Sequence, residues 1–275
     1  MAYYCLRTRK CALPADPETL VLFLRFRHRR GRRPSTLRRY LASIGKVHVA
    51  AGLENPCEHP DVRQALRAAA RERGNVQIQA RGLVWAEIAR FLALEPKMLR
   101  DLRDRAFVTV VYDTMCRSEE IVALDVEDID FEEGTAYVSQ SKTDQEGEGA
   151  YCYLSPLTVT VLRDWITTAS ITEGALFRKV TGKRTLGERL RPPAASEIFK
   201  RLGRHIRLPV DEVQRLSGHS ARVGATQDQL AANIDVAAIM QSGRWKDPRM
   251  VARYGKKLSA KRSGMARLAS LQGRA

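Results

Sequence analysis

Apolar positions in the first quarter of the chain recur at helical spacing. After Asp16, a suitable N-cap, Pro17 opens a helix with Leu20, Phe23, Leu24 and Phe26 as its apolar positions, and Gly31 ends it. Pro34 starts a second helix in which Leu37, Tyr40, Leu41, Ile44 and Val47 repeat, leaving Arg38, Arg39 and Lys46 on other faces. A third is predicted over 60–73, with Val62, Leu66 and Ala69 inward. Residues 1–74 therefore predict a small basic helical bundle, with 1–13 reading as the remnant of a preceding helix. Residues 75–82 lack helical periodicity and read as an extended linker.

A second domain is predicted over 83–275. Helices are expected at 84–94, 99–114 and 118–124; then the period changes from 3.6 to 2. Residues 129–131, 135–139 and 150–154 alternate as a three-stranded antiparallel meander, with a Glu132-Glu133-Gly134 turn and a Gly/Glu-rich tip between them. Helical patterns return at 156–169, 195–206, 211–216, 220–233, 235–241 and 248–254. The fold class is mainly α: an N-terminal bundle followed by a mixed α+β domain, mostly helical with one small antiparallel sheet.

Composition narrows the setting. Apolar residues make up 44% and charged residues 28% of 275, as in a water-soluble globular protein. No apolar run approaches the roughly 18 residues of a membrane span. Arg7, Arg9 and Lys10 interrupt the N-terminus before a signal-like hydrophobic block forms, so a cytoplasmic location is expected, nucleoid-associated when DNA is bound. The five cysteines are scattered without short pair spacings and read as reduced thiols. No histidine lies one helical turn from another His or a Cys, so neither a metal nor another cofactor is expected.

The net charge of +16 is unevenly distributed. Residues 1–80 hold 16 Lys and Arg against 6 Asp and Glu, residues 81–175 hold 9 against 18, and residues 176–275 hold 22 against 7. Two basic segments around an acidic one imply a basic face or clamp, for which nucleic acid is the natural polyanion. Arg32, Arg33, Arg38 and Arg39 in the bundle, and Lys200, Arg201 and Arg204 on one later helix, are the candidate contacts.

The densest chemistry lies between Leu216 and Tyr254. His219 and Arg222 are three apart at a helix start, where backbone N–H groups and the helix dipole favour a phosphate. Trp245 follows in a Gly243-Arg244-Trp245 turn, and Tyr254 closes a short helix beside Arg253, Lys256 and Lys257. Each alone could be structural: a capping histidine, a core tryptophan, a packing tyrosine.

Together they resemble the tyrosine recombinase, or phage integrase, family, and within it the Cre recombinase branch. The likeness rests on the stretch from Leu216 to Ala225 (LSGHSARVGA), Ile239 to Trp245 (IMQSGRW), Tyr254, Tyr112 to Ile121 (YDTMCRSEEI) and Ser141-Lys142-Thr143. These motifs occur in order on the expected elements, and weaker likeness covers the bundle.

The resemblance implies a metal- and ATP-independent site-specific recombinase acting on double-stranded DNA with inverted repeats, as a homo-tetramer on synapsed duplexes. It implies Tyr254 as nucleophile forming a 3′-phosphotyrosyl bond, and Arg117 and Arg222 as phosphate clamps. Lys142 would be the general acid, His219 a phosphate ligand or base assistant, Trp245 an indole N–H donor, and Glu120 a support for its cationic neighbours. It also implies a tail, 258–272, that docks on the neighbouring protomer. A catalytically impaired DNA-binding relative and a strand-passage enzyme of the type IB topoisomerase kind are the alternatives.

Overall fold

Cys5 anchors a short first helix, α1 (Ala2–Thr8), through its one buried side chain. In the computed structural model, which describes residues 1–74, 79–139, 149–255, 260 and 263–274, two units form: Met1–Ile78 and Gln79–Ala275. In the first, the Asp16 carboxylate accepts from the Thr19 N–H at 2.6 Å and opens α2 (Pro17–Arg29). Arg33 precedes α3 (Pro34–Ala50), and α4 (Pro60–Arg73) completes the bundle. Leu20, Phe23, Leu24, Leu37, Leu41, Ile44, Val62 and Ala69 form its core. Val47, expected inward, is 54% exposed: the buried face of α3 runs through Leu37, Leu41, Ile44 and His48, and Val47 lies one residue, about 100°, off it. His48 takes the inward place instead, buried with Nε2 accepting from the Ala15 N–H at 2.9 Å.

The second unit is built around α6 (Leu99–Thr114), which follows α5 (Trp85–Leu92). Residues Ala106 to Val111 of α6 are buried without a break, the mark of a helix surrounded by protein. A short α7 (Ser118–Ala123) leads into β1 (Ile129–Asp130), β2 (Thr135–Val138) and β3 (Ala150–Tyr153), an antiparallel sheet in that order, with Ala136 opposite Cys152. Then α8 (Pro156–Ala169) packs on α6, and Phe107 meets Phe177 and Phe199 at centroid distances of 5.1 and 6.1 Å.

A second sheet, not expected from the pattern, pairs β4 (Arg178–Thr181) with β5 (Thr185–Arg189). Its sequence is charged, and Val180 is its one fully buried side chain, so the alternation that would announce it is too weak to read. The chain continues through α9 (Pro193–His205), α10 (Val210–Gln214), α11 (Ser220–Ala231), α12 (Val236–Gly243), α13 (Arg249–Tyr254) and α14 (Gly264–Leu271). Among the described residues no helix is long and apolar enough to cross a membrane.

Two contacts fix α11 against the start of this unit. Leu83 N–H donates to the Ser220 carbonyl at 2.9 Å, and the Leu83 carbonyl passes so close to Gly224 that a Cβ there would lie 1.8 Å from it. Arg81, in the stretch read as linker, donates to Glu87 and Glu212 of this unit.

Candidate active site

The start of α7 and the end of α12 meet at Glu120. Arg117 is the N-cap of α7, and Glu120, at the third helical position, accepts from the Arg117 backbone N–H at 3.0 Å and from its Nη1 at 2.5 Å. This closes the first turn of α7 by the glutamate half of a capping box, the Arg117 guanidinium being a donor only. Glu120 is only 5% exposed, and its second oxygen accepts from Arg244 Nη2 at 2.6 Å. Burial opposes its ionisation, but the Arg117 N–H and the two guanidiniums outweigh that and hold its pKa below the ordinary carboxylate value.

Arg222, on the first turn of α11, is buried at 2% exposure. Its Nη1 donates to the Met115 carbonyl at 2.6 Å and its Nη2 to the Gly243 carbonyl, and its guanidinium lies 4.9 Å from the Trp245 ring centroid. Desolvation, then the charges of Arg117 and Arg244, lower its pKa to about 10. It stays cationic at neutral pH, but in a field short of negative charge. His219, the N-cap of α11, is pushed below its usual pKa by desolvation and then by Arg222, so the neutral imidazole is favoured.

Trp245 and Tyr254 stack at 5.4 Å between centroids and 33° between planes. They pack on a separate small core of Met115, Ala225, Ile239 and Val251. That core brings the end of α6, the face of α11 and the short α13 together, and so positions Tyr254 near Arg222, whose charge it helps to stabilise. Arg117, Glu120, His219, Arg222, Trp245 and Tyr254 are thus gathered in one place. Lys142 lies outside the described residues, on the segment between β2 and β3.

The residue that sequence reading missed is Arg244. Its backbone sits in the left-handed region at φ 50°, as does Met115 at φ 51°. From there its Nη1 donates to the Thr114 carbonyl at 2.9 Å and to Cys152 Sγ at 2.7 Å, while Nη2 reaches Glu120. Burial works against its charge, yet Cys116, Cys152 and Glu120 raise its pKa above the usual guanidinium value. Nothing in the local pattern sets Arg244 apart from the other arginines near it.

The cations proposed for groove and phosphate contact differ in their surroundings. Arg32, Arg33, Arg38, Arg39 and Arg204 are exposed. Lys200 lies 3.6 Å from Glu197. Arg201 Nε donates to Asp104 at 2.6 Å, and Asp104 also binds the buried Arg103, so the Arg201 side chain is anchored to the core of its own unit. Of the tail, α14 exposes Met265 at 65%, Leu268 at 41% and Leu271 at 85%.

Residues 83–261 match the family described as "Phage integrase family". The chain is 27% identical to "Recombinase cre" of Escherichia phage P1, over 97% of this chain and 83% of that protein. It is 30% identical to an "Integrase/recombinase xerD homolog" of Selenomonas ruminantium, over 88% of this chain and 74% of that protein. Its fold is similar to that of a Tn1549 transposon integrase solved with transposon right-end DNA: TM-score 0.62 at 12% identity, covering 87% of this chain and 80% of that one. It is also similar to the XerH site-specific recombinase bound to its difH substrate: TM-score 0.59 at 15% identity, covering 94% and 74%.

Proposed function

Because the chain belongs to the phage integrase family, we propose that it is a site-specific DNA recombinase that cuts and rejoins strands through a covalent link to Tyr254. The observation that carries this reading is the charge balance of the site. Among the described residues three guanidiniums, Arg117, Arg222 and Arg244, gather about one carboxylate, Glu120, so the field of the site is positive. A phosphodiester under attack gathers about two negative charges in its five-coordinate transition state, so a site preset for that charge stabilises it more than the singly charged ground state.

The remaining roles follow from chemistry. The Tyr254 oxygen attacks phosphorus, a 3′-phosphotyrosyl bond forms, and the 5′-oxygen departs with a proton from Lys142. Arg117 and Arg222 hold the non-bridging oxygens, with Arg222 aimed by the Met115 and Gly243 carbonyls. Neutral His219 can accept the Tyr254 proton or donate to the phosphate, and the Trp245 indole N–H is a further donor. The bond energy is kept in the phosphotyrosine, so a 5′-hydroxyl from another strand can reverse the step. Residues 1–74 would grip the duplex together with residues 83–275. Two inverted repeats and four protomers, with the 258–272 tail on a neighbour, would make the synaptic complex.

The test is a nicked suicide duplex carrying inverted repeats from the DNA flanking the gene. The intact protein should form an adduct that survives denaturing electrophoresis, and Tyr254→Phe should form none. An adduct with Tyr254→Phe would overturn the assignment. Binding without an adduct by the intact chain would make it an accessory DNA-binding protein, and relaxation of supercoils without recombinant products a strand-passage enzyme.

A further inference from the structure

Two buried thiols stand beside this site without a role in strand cleavage. Cys116 ends the turn after α6 and directly precedes Arg117; Cys152 is the inward residue of β3. They are 0% and 8% exposed. One guanidinium serves both: Arg244 Nη1 donates to Cys152 Sγ at 2.7 Å, and its Nη2 lies 3.6 Å from Cys116 Sγ. The two sulfurs thus flank one guanidinium, close enough for each thiol to act on the other's ionisation. The Cys116 thiol, helped by Arg244 and opposed by burial, lowers the Cys152 pKa, while Cys152 and burial push Cys116 up. The other thiols lack this setting. Cys57 spends its S–H on the Leu41 carbonyl at 3.3 Å, burial raises the pKa of Cys5, and Cys11 is exposed.

We propose that Cys116 and Cys152 form an oxidisable pair, a modification site for hydrogen peroxide or another small hydroperoxide that closes to an internal disulfide. The Cys152 thiolate attacks one peroxide oxygen, the O–O bond breaks, and the leaving hydroxide takes a proton to become water, which leaves Cys152 as a sulfenic acid. Cys116 sulfur then attacks the Cys152 sulfur; the S–S bond forms, the S–O bond breaks, and the departing hydroxide takes the Cys116 proton as a second water. Two thiols are oxidised and one peroxide is reduced to two waters. Arg244, donating to Cys152 Sγ, supplies positive charge that favours the Cys152 thiolate, in the way that a neighbouring cation activates redox cysteines generally. Closure takes that thiolate from Arg244 and ties the turn carrying Arg117 to β3, so oxidation reaches Arg117 through Glu120, the carboxylate that Arg117 and Arg244 share.

The experiment uses the reduced full-length protein, a few equivalents of hydrogen peroxide, then unfolding in denaturant with N-ethylmaleimide, and mass spectrometry. Peroxide should lower the number of alkylated cysteines from five to three. Trypsin should release peptide 106–117 linked to peptide 143–163 through Cys116 and Cys152, formed several-fold faster than any oxidation of Cys11. In Cys116→Ser, Cys152 should stop at a sulfenic acid that dimedone traps, and Arg244→Gln should slow disulfide formation several-fold. Full alkylation of Cys116 and Cys152 after Cys11 has been oxidised would overturn the proposal. So would linkage of either one to Cys5, Cys11 or Cys57. The readout needs no DNA, so its outcome is independent of whether the chain recombines.

Discussion

Glu120 is the residue on which the site's charges close. It is buried, carries one negative charge, and is shared by Arg117 and Arg244, so removing it leaves two partly buried cations facing each other. Breaking a buried pair by deleting one partner costs about 3 kcal/mol or more, and Glu120→Gln should lose roughly that in denaturant unfolding. The pH dependence has a definite sign. The folded pKa of Glu120 lies below its unfolded value of about 4.3, so its stabilisation is present above that pH and is lost as pH falls through the folded pKa. Glu120→Gln should therefore flatten the acid limb of the stability curve; an unchanged limb would show that other carboxylates carry it. Arg244→Lys keeps the charge but, as a single point donor, cannot reach Thr114, Cys152 and Glu120 together. We expect adduct formation to slow by about tenfold while DNA binding is retained, measured by single-turnover cleavage against gel shift. Arg117, Glu120, Arg222 and Tyr254 were singled out in the sequence by their resemblance to family motifs. Arg244 was not, because its partners come from three other elements.

Helices were the most readable elements, since caps and apolar period are local. Asp16, Pro17, Ser155 and Pro156 mark their helix starts by residue type alone, and Asp16 and Ser155 do accept the capping bonds. Asp16→Ala should cost about 1 kcal/mol, read from thermal unfolding of the bundle. The β4–β5 hairpin escaped notice because one buried side chain makes no alternation. Close approach is equally silent in sequence. Gly224 lies within a helix, where glycine is ordinarily a cost of roughly 1 kcal/mol relative to alanine. Here the Leu83 carbonyl occupies the space of a Cβ, so Gly224→Ala should destabilise by about 1–3 kcal/mol through forced backbone movement, rather than stabilise the helix. Equilibrium unfolding that showed a gain would refute the close approach.

At the scale of the whole molecule, the +16 net charge supplies long-range attraction to a polyanion. If about 10 phosphates are neutralised, DNA affinity should fall by roughly 10³ to 10⁵ between 50 and 200 mM salt, and Arg32→Ala and Arg33→Ala should each reduce the logarithmic salt slope by about one. Arg201→Ala should behave differently, lowering stability more than the salt slope, because it strips a partner from buried Asp104. A fluorescence-anisotropy salt titration beside a melting curve separates the two outcomes. By itself the sequence determined the helices and the meander, the segregation of charge, and the order of the chemical motifs, because all of these are written in neighbours a few residues apart. Only the tertiary structure decided which charges meet. Arg244 reaches Glu120 across 124 residues, Cys116 and Cys152 meet at the same guanidinium, and Leu83 claims the space beside Gly224. Such contacts depend on how elements pack, and a guanidinium becomes a positioning group only when packing removes water and supplies its partners.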